Sequence, residues 1–298
     1  MVGILLVDKP QGISSHSVVF RVKRALGVRK AGHTGTLDPL ATGILPVALG
    51  EATKIIPFLD ESKKVYEVTG ILGQSTDTFD ADGKLLREED PGNITQEDIK
   101  ALIPQFVGSL DQIPPIFSAI KVKGRPTYRL ARQGKEVSLP PRKIIIHSIE
   151  LLSFRSPHFS LKVRCSRGTY IRSLVHDMGQ ALGPGAHVAV LRRLQSGPFG
   201  QDQALSLEQI LEGGDLSPEV FWSIERCLEA LPWLSLESEE ELQRVRSGVA
   251  LYRLQEALGA GDWEGKTVLL KFRNKVIAVV GVEAAGNFRF LRVLRSSN

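Results

Sequence analysis

Gly32-His33-Thr34-Gly35-Thr36-Leu37-Asp38-Pro39-Leu40-Ala41-Thr42-Gly43 sets one carboxylate among three glycines and three threonines, directly before the apolar run Ile44 to Leu49. Glycine lets a backbone approach a ligand closely and take φ > 0. Pro39 biases Asp38 away from the α region and stiffens it. Asp38 therefore reads as an acid held in a fixed pose at the mouth of a strand. Asp-Pro also opens ordinary Asx turns, so the stretch by itself leaves a catalytic and a structural Asp38 both open.

Outward from this loop the chain is well punctuated. Upstream, 3–7 reads as a strand. Ser14 or Ser15 then caps a helix in which Val18, Val19, Val22 and Leu26 recur at helical spacing, with Gly27 at the C′ position. Downstream, 44–49 reads as a buried strand and 51–59 as a short helix weakened by Pro57. Residues 63–70 alternate, with Tyr66, Val68 and Gly70 on one face. Thr95 opens a helix carrying Ile99, Leu102 and Ile103. Phe159, Leu161, Val163 and Cys165 alternate with polar residues as a half-buried strand. Thr169 is expected to cap a helix that runs to Leu182 and stops at Gly183-Pro184, and 186–194 reads as a further strand. Glu237 to Val245 reads as an acidic helix. Three strands follow over 268–272, 276–280 and 288–293, with Arg273-Asn274-Lys275 and Ala284 to Asn287 as turns. Strand and helix do not alternate in a βαβ pattern, so the class is α+β with a mixed sheet.

A chain of 298 residues can bury a sizeable core in one large or two modest domains. Charged residues at 24% and apolar ones at 42% are ordinary for a soluble globular protein. Cys165 and Cys227 have no Cys or His nearby at metal-ligand spacing and make no disulfide framework. Met1 to Asp8 lacks a basic n-region, and no apolar run approaches the ~20 residues of a membrane span. A cytoplasmic protein without membrane association is expected. The net charge is only +5, yet 121–143 holds eight cations against Glu136, and 265–298 holds seven against Glu283. Two basic blocks on a nearly neutral body are the footprint of a polyanion ligand. A solvated basic face has the same composition. Thr78-Phe79-Asp80-Ala81-Asp82-Gly83 with Glu89 has EF-hand-like spacing, but it leads with Thr78 instead of an acid, which argues against calcium.

The order of motifs closely resembles the TruB family of tRNA pseudouridine-55 synthases. Beside GHTGTLDPLATG stand Lys64-Val65-Tyr66, Gly73-Gln74-Ser75-Thr76-Asp77-Thr78, Pro114-Pro115-Ile116-Phe117-Ser118-Ala119-Ile120-Lys121, Gly168-Thr169-Tyr170-Ile171-Arg172, Gly185-Ala186-His187 and Leu191-Arg192-Arg193-Leu194. The matches span residues 3 to about 200. The Asp38 loop and the Gly168–Arg172 motif are the specific ones; the C-terminal third matches loosely. The resemblance implies a mixed-sheet pseudouridine synthase catalytic domain over 1–234, with a basic thumb-like insertion near 121–146. A small β domain over 235–298 is similar to the RNA-binding PUA domain by position and size.

The same resemblance implies an enzyme that isomerises uridine 55 in the T-loop of tRNA on a flipped-out base. It implies no metal or cofactor, tRNA (the T-stem-loop) as partner, and a monomer without an obligatory protein partner. Asp38 is then the nucleophile or base at the sugar, and Arg172 pairs with it and lowers its pKa. Tyr66 stacks on the target base, Tyr170 and Leu191 wall the pocket, His33 fills the space left by flipped bases, and Lys121 supports the site. Without the motifs, Arg172 reads as a surface cation, Tyr66, Tyr170 and Leu191 as sheet core, and His33 as a structural histidine. Hydrolytic glycosidases usually pair two carboxylates. The single acid of the loop suits an isomerisation in which the base is never lost. Two other readings stay open: the subunit of a guide-dependent RNA pseudouridine synthase, and a T-loop-binding tRNA chaperone. Within the basic insertion, Thr127 to Gln133 reads as a short helix with Tyr128 and Arg132 one turn apart, ordered on RNA binding.

Overall fold

The computed structural model describes residues 1–60, 62–118, 120–122, 125–127, 139–214 and 216–295. Gly3–Lys9 (β1) is buried along almost its whole length. Ser14 caps Ser15–Ala25 (α1) by accepting from the Ser17 amide, and Gly27 at φ 61° ends the turn that follows. Ala31–His33 (β2) and Thr42–Leu49 (β3) flank the Asp38 loop and pair antiparallel. Lys64–Leu72 (β4) leads to a small ladder of Gln74–Thr76 (β5) with Leu85–Glu88 (β6). Gln96–Leu102 (α2) opens on a capping box between Thr95 and Asp98. Gly108–Gln112 (β7) follows, then Lys121–Val122 (β8) paired with Arg125–Pro126 (β9). Arg142–Arg155 (β10), His158–Cys165 (β11), Ile171–Leu182 (α3) and Ala186–Ser196 (β12) complete the larger part.

The main sheet runs β1–β3–β12–β4–β11–β10–β7, with β2 on β3. β3 and β12 are parallel, whereas β4 is antiparallel to both β12 and β11, so the sheet is mixed, as the lack of βαβ alternation predicts. Helices α1, α2 and α3 cover one face: Val18, Val22, Ile99, Leu174 and Met178 share a core with Leu5, Val47, Val68 and Leu161. Each such side chain contributes about 1.5–3 kcal/mol by leaving water. On the other face Ile4, Leu6, Ile44 and Ala48 meet Leu269, Val276, Val279 and Leu294. Those residues belong to or follow a four-stranded sheet of Trp233–Ser235, Thr267–Phe272, Lys275–Val282 and Phe288–Val293. Helices Glu239–Arg246 and Tyr252–Gly259 close a separate core around Val268, Leu270 and Val280.

Several expectations change. Residues 51–59 form two 3₁₀ turns, Gly50–Lys54 and Ile56–Phe58, because Pro57 carries no N–H to continue a helix. Thr169 does not cap α3: its hydroxyl donates to the Ser166 carbonyl at 3.0 Å, and Tyr170 holds the N-cap position without a side-chain cap bond. β10 and the strand Trp233–Ser235 are additions to the sequence reading. Of the helix expected over Thr127 to Gln133, all but Thr127 lies outside the described residues. Among the described residues no helix is long and apolar enough to cross a membrane.

Candidate active site

Three buried side chains tie down the backbone on both sides of Asp38. Ser15 Oγ accepts from the Leu37 amide at 2.8 Å and donates to the Leu37 carbonyl at 2.9 Å. Arg193, fully buried on β12, donates to the carbonyls of Gly35 (3.0 Å), Thr36 (3.4 Å) and Ile44 (2.9 Å). Lys9 at the end of β1 is also buried and donates to the carbonyls of Pro10 (2.8 Å), Ile13 (2.7 Å) and Pro39 (3.2 Å). Burial pushes its ammonium down to about 8, against the pull of Asp38. Gly43, at φ 102°, lies so close to the Arg193 backbone that a Cβ would collide with it. The loop is therefore fixed by polar contacts, with Asp38 left over: its side chain keeps 34% of its exposure.

Helix α3 brings in the cation. Arg172 Nε lies 2.9 Å from Asp38 Oδ2, and Nη1 lies 3.1 Å from Asp80 Oδ2, with the guanidinium side chain only 5% exposed. Nη1 also donates to the Thr78 carbonyl at 2.8 Å and Nη2 to the Phe117 carbonyl at 2.9 Å. The fork of Arg172 thus spans two carboxylates and two carbonyls. Asp80 is locked in turn, its Oδ1 accepting from the Thr78 hydroxyl at 2.5 Å and the Asp82 amide at 3.2 Å. At the helix start, Gln112 accepts from the Tyr170 amide at 2.8 Å and donates to its carbonyl at 2.9 Å.

Asp38, Tyr66, Tyr170, Arg172 and Leu191 line one pocket of about 270 Å³. The structure thus brings together five of the seven residues singled out from the sequence. His33 is not among the lining residues; it sits on β2 opposite Val47. The side chain of Lys121 lies outside the described residues, but Ser118 of the same motif lines the pocket and bonds to the Thr127 hydroxyl at 3.1 Å. Sequence reading missed Asp80, Arg193, Lys9, Ser15 and Gln112.

One electrostatic expectation reverses. Arg172 does draw the Asp38 pKa down, but burial outweighs it and Asp80 adds a like charge, so the carboxyl is pushed above its ordinary range. Burial likewise raises the Tyr66 phenol, opposed by Arg193 beside it, and raises the Tyr170 phenol, opposed by its hydrogen bond to Ser118. Among the described residues no three His, Cys, Asp or Glu side chains are grouped to hold a metal ion. Between Asp38 and Asp80 the cation is a guanidinium.

The chain matches the model of the TruB family pseudouridylate synthase N-terminal domain over residues 23–171 and that of the tRNA pseudouridylate synthase B C-terminal domain over 172–217. It is 44% identical to the tRNA pseudouridine synthase B of Syntrophotalea carbinolica, over 98% of each chain. It is also 44% identical to that of Geobacter sulfurreducens, over 98% of this chain and 99% of the other. The identity is 48% to that of Pseudomonas aeruginosa, over 71% of both. A solved H/ACA ribonucleoprotein bound to a substrate RNA containing 2′-deoxyuridine shares the fold at 24% identity, with a TM-score of 0.71 over 99% of this chain and 86% of that one. Family models that meet at Arg172 and near full-length identity of this size lead to one conclusion: the chain belongs to the TruB family of pseudouridylate synthases.

Proposed function

We propose that the protein converts uridine 55 in the T-loop of tRNA to pseudouridine, with Asp38 as the reacting carboxylate. The observation that carries this reading is a single carboxylate, Asp38, lining a base-sized pocket while ion-paired to Arg172. The bond from ribose C1′ to N1 breaks, the uracil turns, C1′ joins C5, and the C5 proton is exchanged for one on N1. No atom is lost, so the loop's one carboxylate suffices where hydrolysis would call for two. Asp38 either attacks C1′ or removes the 2′ proton. Arg172 holds it in line, Tyr66 stacks on the turned base, and Tyr170 and Leu191 wall the pocket. Recognition rests on loop shape and unstacked bases. In the same reading residues 1–234 are the catalytic unit and 235–298 a small RNA-gripping unit, with His33 filling the space left by flipped bases and Lys121 supporting the site.

Relatives at 44% identity named tRNA pseudouridine synthase B favour a protein acting on tRNA by itself over a guide-dependent subunit. The test is a uridine-to-pseudouridine map of bare tRNA after incubation with pure protein. Wild type should modify position 55 without other components. Asp38→Asn should bind tRNA within a few fold of wild type and lose at least about a thousandfold in rate, as removal of a reacting group does. Retained turnover by Asp38→Asn would end the reading, and retained cellular function without modification would favour a chaperone.

A further inference from the structure

Phe79 has φ 63°, a conformation that aromatic side chains rarely take. Among the described residues the other non-glycines with positive φ, Arg273, Asn274 and Ala285, lie in turns of the C-terminal sheet. Phe79 alone stands beside the site. Its ring lies flat on the His176 imidazole, with centroids 3.9 Å apart and planes 15° apart. Its carbonyl accepts from the Val188 amide at 3.0 Å. The residues on either side of Phe79 are two of the four that hold Arg172, Thr78 through its carbonyl and Asp80 through its carboxylate. His176 lies one turn beyond Arg172 on α3. Stack and guanidinium contacts are therefore two rungs between the same pair of elements. The His176 Nδ1 is buried without a hydrogen-bond partner, and the imidazole meets Phe79 through its face. A phenyl ring would offer that face with no stranded nitrogen.

We propose that Phe79 and His176 form a positioning pair whose stack keeps the Thr78–Asp80 turn kinked, so that Asp80 shares Arg172 with Asp38. This rests on the reading of Asp38 as the reacting carboxylate. Without the stack the strained backbone relaxes and Asp80 draws away from Arg172. The charged and titratable groups around Asp38 are Arg172 from α3, Lys9 from β1, Asp80 from the turn, Tyr66 and Lys64 from β4, Arg193 from β12, and Arg167 and Tyr170 from the segment before α3. Asp80 is the anion of that set. Its withdrawal leaves Asp38 easier to ionise and less firmly aligned.

The test compares full-length His176→Ala, His176→Phe, Phe79→Ala and Phe79→Asn, with Asp80→Asn as reference. Two readouts are taken across pH: kcat and KM on tRNA, and the ¹³C titration of the Asp38 carboxyl. His176→Ala and Phe79→Ala should lower kcat about tenfold with KM within about twofold, the size expected of a small misalignment. Both should move the acid limb of kcat and the Asp38 titration toward lower pH, in the direction of Asp80→Asn. His176→Phe, which keeps the stack, and Phe79→Asn, which tolerates the left-handed backbone, should stay close to wild type. Should His176→Ala not fold, the Phe79→Ala and Phe79→Asn pair carries the comparison. Equal titrations in that pair, or an Asp38 titration in the alanine variants identical to wild type, would overturn the proposal. The titration needs no turnover, so a wild type inactive on tRNA would sink the functional reading and still leave the stack to be judged.

Discussion

Asp38 is pulled in opposite directions: burial and Asp80 favour its neutral form, and Arg172 and, more weakly, Lys9 favour the carboxylate. If Asp38 is the reacting carboxylate, as proposed, the rate should rise with pH as it loses its proton, and the acid limb should lie above the ordinary carboxylate range. Asp80→Asn removes a like charge and releases Arg172 toward Asp38, so the limb should move to lower pH. Because Arg172 then loses one anchor, kcat should fall about ten- to a hundredfold. A single-turnover pH profile on tRNA checks both, and a limb that stays in place would remove Asp80 from the electrostatics. Arg172→Ala and Tyr66→Ala should each lower kcat more than they raise KM; a change in KM alone would make either residue a binding contact only. At this scale the signature residues were legible because their motifs are dense and unusual. Arg193 was hidden inside a quoted motif. Yet with Leu191 facing the pocket, period-two alternation on β12 turns Arg193 the same way and sends Arg192 to the other face, where it pairs with Asp8 at 2.7 Å. Asp80 stayed hidden for another reason: its surroundings have the spacing of an EF-hand loop, and no sequence period links it to Arg172.

Two segments lining the pocket are each held by one amide or hydroxyl side chain bonded twice to a single residue's backbone. Ser15 does this for Leu37 beside Asp38, and Gln112 for Tyr170 beside Arg172. Ser15→Ala leaves both backbone groups of Leu37 unpaired beside the α1 core. It should cost about 1–3 kcal/mol of stability, the usual penalty for a stranded buried polar group. Gln112→Ala should act similarly on Tyr170. Denaturant midpoints measure the cost; variants as stable as wild type would mean that water replaces the clamps. Elements with a clean period were legible: α1, β4 and β11 fall where their apolar spacing predicts. β10 was not. Its pairing with β11 carries register shifts between Ile146 and Ser148 and between Leu151 and Ser153, which break the alternation that identifies a strand. Ile145 and Leu152 are also exposed on it, so burial and hydropathy part company there.

Across the whole molecule the charge is uneven: a net +5 gathered largely in the 121–143 and C-terminal blocks. Each phosphate neutralised contributes roughly 0.7–0.9 to the slope of log K against log salt. Replacing Arg125, Arg129 and Arg132 together by Ala should weaken tRNA binding and flatten that slope by about two to three units. Chemistry on saturated enzyme should change less than affinity. A binding titration across salt concentrations decides it; an unchanged slope would make the block a solvated face. The overall class was legible because it depends on element order alone, which the sequence carries. The seating of the C-terminal strands against β1 and β3 was not, since contacts between residues more than two hundred positions apart leave no local pattern.

That seating sets a schedule for the nascent chain. Ile4, Leu6, Ile44 and Ala48 leave the ribosome long before Leu269, Val276, Val279 and Leu294, which are among the side chains that cover them. Helices α1, α2 and α3 can dress one face of the sheet as they are made; the other receives Ile55, then Phe199 and Trp222, and is completed only when the four-stranded sheet forms. Such distant pairings form slowly, because a long loop must close before they are rewarded. During that interval the half-dressed sheet is a sticky surface, of the kind that makes folding intermediates prone to aggregate.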